Sequence, residues 1–206
     1  MKALLICGSP NANGCTYTAL SEVAKTLNAN GVETEIYQIG KDPISGCRAC
    51  KACYKLGRCV IGDGVNAIAD RLDEFDALII GSPVYYAAAN STLTAFLDRL
   101  FYSSGRKMVG KVGAAVVSCR RGGASAAYDQ LNKYFGISSM VVATSQYWNQ
   151  VHGNTAEEVL QDAEGMQTIR TLGENVAWLL RLIECGKQNG IAAPKYEAKV
   201  RTNFIR

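Results

Sequence analysis

Cys47, Cys50, Cys53 and Cys59 fall in one short stretch of the chain, separated by two, two and five residues. A 4Fe–4S cluster needs four thiolates converging from a compact loop, and a C-x2-C-x2-C run with a fourth Cys nearby supplies them. Structural zinc is usually held by two separated Cys-x2-Cys knuckles. The single run therefore favours the cluster, with zinc and free thiols open as alternatives. No proline follows Cys59, which departs from the bacterial ferredoxin pattern without affecting ligation.

Three further segments have the composition of ligand loops. The first runs Ser9-Pro10-Asn11-Ala12-Asn13-Gly14-Cys15-Thr16, just ahead of a helical pattern. Free amides and the positive end of a helix dipole favour an anion there, and hydroxyls and side-chain amides add donors. The loop has no lysine, so it suits a phosphate monoester held by dipoles better than a nucleoside triphosphate. The alternative is a tight turn with Thr16 as a helix cap. In Ser82-Pro83-Val84-Tyr85-Tyr86, paired tyrosines after a rigid turn would wall a flat conjugated ring, or else pack on the next helix. In Ser118-Cys119-Arg120-Arg121-Gly122-Gly123, the glycines let backbone approach a ligand closely. An arginine there would stabilise an anionic reduced flavin ring at N1/C2, and the alternative is two solvated arginines in a turn. Together these segments point to a flavin and an iron–sulfur cluster in one chain.

No Ser–His–Asp arrangement and no carboxylate pair in a shared motif is present. No side chain is expected to be catalytic, because hydride transfer to a flavin needs no protein acid. His152, the single histidine, follows Tyr147 and Trp148 and reads as a pocket-wall or structural residue. Cys7 reads as core and Cys185 as an inert helix residue, while Cys15 and Cys119 read as small packing residues near the ligand.

The elements that must position these loops alternate between strand and helix. Residues 2–7 read as a buried strand, and Ala19, Leu20, Val23, Ala24 and Leu27 as a helix face ended by Gly31. Val32 to Ile36 alternate as a second strand, and the cysteine segment, 41–64, is long for a connection, as functional loops are. A short helix near 65–73 precedes the strand Ala77–Ile80. Ser91 is the expected N-cap of a helix with Leu93, Phe96, Leu97, Leu100 and Phe101 on one face. A fourth strand covers Val112–Val117, a helix carries Ala124, Ala127, Leu131 and Tyr134, and a fifth strand is expected near 139–144. Thr155 and Glu158 form a capping box ahead of one long helical pattern from Val159 to Ile183, with Gly165 and Gly173 as possible bends. Five buried strands alternating with helices mean a doubly wound α/β domain with a five-stranded parallel sheet. Residues 1–190 are expected to form one domain and 191–206 a tail.

Composition agrees. The chain has 206 residues, 48% of them hydrophobic and 19% charged, which is ordinary for one soluble domain. No apolar run approaches a membrane span. The opening run Met1 to Cys7 stops at Gly8, too early for a signal-peptide core. Eight cysteines without an export signal indicate metal or thiol chemistry in a reducing cytoplasm. The net charge of +4 is modest, and only the tail, with Lys195, Lys199, Arg201 and Arg206, is locally basic, which argues against nucleic-acid binding.

On these segments the chain resembles the flavodoxin-like superfamily, and within it the NAD(P)H-dependent FMN reductases and iron–sulfur flavoproteins. Residues 8–16 resemble the FMN phosphate loop, with Cys15 where Ser or Asn is usual. Residues 81–86 resemble the isoalloxazine loop, 118–123 the second flavin-facing loop, and 46–60 the cysteine segment of the iron–sulfur flavoproteins. The similarity covers most of residues 1–150. It implies noncovalent FMN, strand order 2-1-3-4-5, and homodimers or homotetramers. The implied activity takes electrons from NAD(P)H and passes them to a small acceptor, with the cluster as one-electron partner. The alternative is an electron carrier exchanging with ferredoxin. No Gly-x-Gly-x-x-Gly fingerprint is present, so a nicotinamide would dock transiently over the flavin.

Overall fold

Three strands built around apolar runs form the middle of a parallel sheet: β1 (Lys2–Cys7), β3 (Ala77–Tyr85) and β5 (Val112–Cys119). The computed structural model describes residues 1–202 and 204, and Arg206 of the basic tail lies outside the described residues. β2 (Glu33–Gln38) pairs with β1 on one side. On the other side β5 is flanked by two short strands, β6 (Val141–Val142) and β7 (Gln150–His152). The order is β2-β1-β3-β5-β6, with β7 sharing the last place, so the expected 2-1-3-4-5 order is present. The anticipated single fifth strand is instead two pieces.

Alternate residues of each buried strand enter opposite layers. Leu4, Ile6, Leu78, Ile80, Ala115 and Val117 face α3 (Gly64–Arg71), α4 (Ser91–Ser104) and α5 (Ala124–Ile137). Ala3, Leu5, Cys7, Ile79, Ala114 and Val116 face α1 (Cys15–Ala29) and α7 (Ala163–Gln188). Each fully buried Leu or Ile contributes about 1.5–3 kcal/mol, and helices on both faces are what a parallel sheet requires.

Three local expectations are corrected. The cap of α4 is Asn90, whose side-chain Oδ1 accepts from the Thr92 amide at 3.0 Å, not Ser91. The long C-terminal pattern is two helices, because Asp162 separates α6 (Ala156–Gln161) from α7 and caps α7 through the Gly165 amide at 2.9 Å. Gly165 and Gly173 both lie inside the unbroken run of α7. A Cβ at Gly173 would stand 2.7 Å from Thr26 Cβ, so this glycine lets α7 approach α1. Lastly, β3 continues beyond Ile80 through Pro83, Val84 and Tyr85, then folds back as β4 (Ala88–Ala89). No helix among the described residues is long and apolar enough to cross a membrane.

Candidate flavin and iron–sulfur site

The first loop leaves β1 and enters α1 with Gly14 at the N-cap and no side-chain cap. Thr16 does not cap α1 as the turn alternative required. Its hydroxyl is buried and shares a 2.8 Å hydrogen bond with Ser118, in the third loop. The amides of Cys15, Thr16 and Tyr17 have no hydrogen-bond partner among the described residues. These are the free donors that a phosphate at a helix start accepts from. Ser9 is buried and its Oγ accepts from the Asn11 amide at 3.1 Å, whereas Asn11 and Asn13 are exposed beside the helix start. Gly14 donates to the Asn11 carbonyl at 3.3 Å and closes the turn. Gln38 Nε2, at the end of β2, donates to the Ser9 carbonyl and links this loop to the origin of the cysteine segment.

The second segment is a hairpin rather than a loop. Tyr86 and Ala87 occupy its tip with φ of +50° and +58°, the paired left-handed conformations of a type I′ turn. Pro83 and Val84 are half-buried, while Tyr85 and Tyr86 are exposed, Tyr86 completely. The third segment ends β5. Ser118 and Cys119 are buried, and Arg120, Arg121 and Gly122 are exposed. Gly123 has φ +93°, and a Cβ there would lie 2.6 Å from Ala87 Cα, so this glycine permits contact with the hairpin tip.

Asn90, missed in the sequence, joins the first two segments. Its Nδ2 donates to the Gly8 carbonyl at 2.7 Å and its amide to Ser82 Oγ at 3.0 Å. With Thr16–Ser118 and Gly123–Ala87, the three segments are mutually tied at the carboxyl edge of the sheet. That edge, at the reversal of strand order between β1 and β3, is where open α/β sheets bind ligands.

Cys15 and Cys119 sit beside this edge. Cys15 Sγ lies 3.6 Å from the Gly153 carbonyl, Cys119 is buried, and burial pushes both thiols up, as it does Cys7. His152 donates its main-chain amide to Asp162 Oδ2 at 2.7 Å, and its Nδ1 lies 3.8 Å from the same oxygen. Cys185 is exposed on α7.

The four cysteines of the run border one cavity, together with Ile61 and Arg99. Cys47 and Cys50 are exposed, Cys53 opens the short helix α2 (Cys53–Leu56), and Cys59 lies beyond it. Ala49 and Lys51, between the cysteines, have φ of +52° and +58°, a strained winding found at ligand clamps. Burial raises the Cys53 pKa, and the thiolates of Cys50, Cys47 and Cys59 raise it further. A cationic centre among them would relieve that repulsion. Apart from Pro43, which has no N–H, the main-chain amides of residues 41–53 donate no hydrogen bond to another described residue and would be available to cluster sulfurs. Among the described residues no three His, Cys, Asp or Glu side chains converge tightly enough for one metal ion. Four thiols bordering one cavity are the soft donor set that iron–sulfur clusters take, and zinc accepts the same ligands.

Two more residues went unseen in the sequence. Arg99 of α4 and Asn66 of α3, both buried, grip the segment around Cys59. An arginine inside the apolar stripe of α4 was the available signal.

Residues 1–155 match the family described as NADPH-dependent FMN reductase. An iron–sulfur flavoprotein of Methanocaldococcus jannaschii is 32% identical over 192 residues, spanning 89% of this chain and all of that one. An iron–sulfur flavoprotein of Methanosarcina thermophila is 29% identical, over 89% of this chain and 97% of its own length. A flavodoxin from the Archaea superposes with a TM-score of 0.60 at 18% identity, over 88% of this chain and 99% of that one. This last likeness concerns the fold, which is flavodoxin-like.

Proposed function

The chain belongs to the NADPH-dependent FMN reductase family, and from that premise we propose an FMN-dependent oxidoreductase carrying a 4Fe–4S cluster. It takes electrons from NAD(P)H and delivers them to a small acceptor. The observation that carries this reading is the mutual tie of the three strand-end segments beside an uncapped helix start. Residues 1–190 act as one domain holding both groups, in a cytoplasmic homo-oligomer.

In this reading the free amides of α1 and the side chains of Ser9, Asn11 and Asn13 hold the FMN phosphate, with Gly14 and Cys15 lending backbone. Thr16 acts from beneath, fixing the loop through Ser118. Pro83, Val84, Tyr85 and Tyr86 wall the ring, Gly122 and Gly123 allow close approach, and Cys119 packs below. Arg120 supplies positive charge toward the ring's pyrimidine side. Cys47, Cys50, Cys53 and Cys59 ligate the cluster. When bound, the flavin supplies hydride acceptance and single-electron release, and the cluster single-electron acceptance. The protein contributes orientation and charge and no acid or base.

A second reading, an electron carrier working with ferredoxin, is favoured by the exposure of Cys47 and Cys50, which would leave the cluster within reach of a protein partner. The absorption spectrum of anaerobically purified protein, with iron, sulfide and zinc assays on the same sample, tests the cofactor content. Flavin plus equal iron and sulfide is expected, and zinc alone would overturn the cluster. Bleaching of the flavin by NADPH or NADH supports the reductase, whereas reduction by ferredoxin alone supports the carrier.

A further inference from the structure

Arg99 sits within the inner stripe of α4, beside Phe96, Leu97 and Leu100, and is 1% exposed. A guanidinium persists in such a place only when its charge and its N–H groups are all matched, and here all five are. Nη1 donates to Asp63 Oδ2 at 2.5 Å and to the Ser45 carbonyl at 3.3 Å. Nη2 donates to Asp63 Oδ1 at 2.8 Å and to the Ile61 carbonyl at 3.0 Å. Nε donates to Cys59 Sγ at 3.3 Å.

Asn66 completes the arrangement around the same cysteine. Its Oδ1 accepts from the Cys59 amide at 3.1 Å, and its Nδ2 donates to the Cys59 carbonyl at 2.9 Å. Cys59 is thus held at main chain and at sulfur, whereas Cys47 and Cys50 lie exposed. A clasp joining the segment to α4 would need only the carbonyl and carboxylate bonds. The fifth donor is aimed at a ligand sulfur.

We propose that Arg99 is a positioning residue for the iron–sulfur cluster: its Nε–H fixes Cys59 Sγ as a ligand, and its buried charge raises the cluster's reduction potential. Reduction adds negative charge to the cluster. A hydrogen bond to a ligand sulfur and a nearby cation both stabilise that state, and the low local dielectric strengthens the effect. Asp63 offsets part of the charge, so removing the carboxylate and removing the guanidinium should act in opposite directions.

This inference rests on the cluster reading above. The test compares anaerobic holoprotein of the parent with Arg99→Met, Arg99→Lys and Asp63→Asn. Cluster potential is measured by electron paramagnetic resonance at poised potentials, with FMN in the same sample as internal reference. Arg99→Met should move the cluster to more negative potential and release iron to a chelator severalfold faster. Arg99→Lys, which keeps charge but not the fork, should fall between. Asp63→Asn, which keeps a good cap for α3, should move the potential the other way, and the FMN potential should not move in any variant. If Arg99→Met does not fold, the direction in Asp63→Asn decides. Parent-like cluster potentials in the loaded variants would overturn this role and leave the proposed function standing. A parent without a cluster would overturn both.

Discussion

Thr16 Oγ1 and Ser118 Oγ stand 2.8 Å apart in the interior, although 102 residues separate them in the chain. The bond links the turn after β1 to the end of β5, and it takes up the hydroxyl of Thr16. Gly81 lies directly beneath: a Cβ there would come within 3.0 Å of Thr16 Cγ2. A large or charged residue at position 16 would therefore disturb packing as well as ligand binding, and the exposed Asn13 is the cleaner probe.

Asn13→Glu places a negative charge beside the start of α1. FMN affinity should fall by about tenfold, equivalent to about 1.4 kcal/mol, when followed by fluorescence titration. The FMN-free protein should keep its stability or gain about 0.3–1 kcal/mol from the helix dipole. Parent-like FMN affinity would remove the phosphate from this loop.

Tyr86 is fully exposed at the hairpin tip, so Tyr86→Ala should change stability by less than about 0.5 kcal/mol. Loss of an aromatic contact of about 0.5–1.5 kcal/mol should weaken FMN binding or slow its reduction. Stopped-flow reduction by NADPH, alongside flavin titration, reads both quantities. A variant identical to the parent in both makes the tyrosine a bystander.

Cys50→Ser keeps size but offers iron a poor ligand. Because Cys50 is exposed, the fold should survive while iron and sulfide per FMN drop sharply. FMN itself should remain, since its holders lie in other segments. Undiminished iron and sulfide would remove Cys50 from the ligand set.

Asn90→Ala removes a helix cap and leaves the buried Gly8 carbonyl without its donor. Chemical denaturation should show a loss of about 1–3 kcal/mol, with weaker FMN binding because two flavin segments come loose. Asn90→Asp keeps the cap and not the donor, so it should lie between parent and Ala.

Arg71 donates to both carboxylate oxygens of Glu35 at 2.7 Å, and this holds the Glu35 carboxyl below its usual range. A depressed folded-state pKa gives stability that is present above the ordinary Glu value of about 4.3 and lost as pH falls through the folded value. Denaturation midpoints should therefore decline on acidification below about pH 4.3, and Glu35→Gln should flatten that decline.

Much of the site was legible before the structure because it is built from local signals. The runs Leu4–Cys7, Ala77–Ile80 and Val112–Val117 read as buried strands, and the chemistry-bearing segments sit where those runs stop. Asn90 and Arg99 were missed because their meaning lies in partners far along the chain: Gly8 is 82 residues from Asn90, and Cys59 is 40 from Arg99. Asn66 reaches back only to Cys59 and Ile61, but through a loop whose path no local pattern specifies. Asn90 and Ser91 are both good caps, and only the reach of Asn90 to Gly8 decides between them. The close approach of Gly173 to Thr26 was not legible because it depends on which helix becomes the neighbour. The break at Asp162 was hidden inside an apolar pattern that continues in phase across it.

The divided last place in the sheet bears on how molecules of this protein meet at high concentration. An open sheet risks adding a strand from a neighbouring molecule wherever a long row of backbone groups stays unpaired. On one flank that row is interrupted, since Val141–Val142 and Gln150–His152 cover only the two ends of β5 and the chain arches away between them. On the other flank β2 carries Glu33 and Glu35, both engaged by Lys2. Brevity guards one margin and charge the other, so among the described residues strand-to-strand aggregation finds no long, neutral edge on which to start.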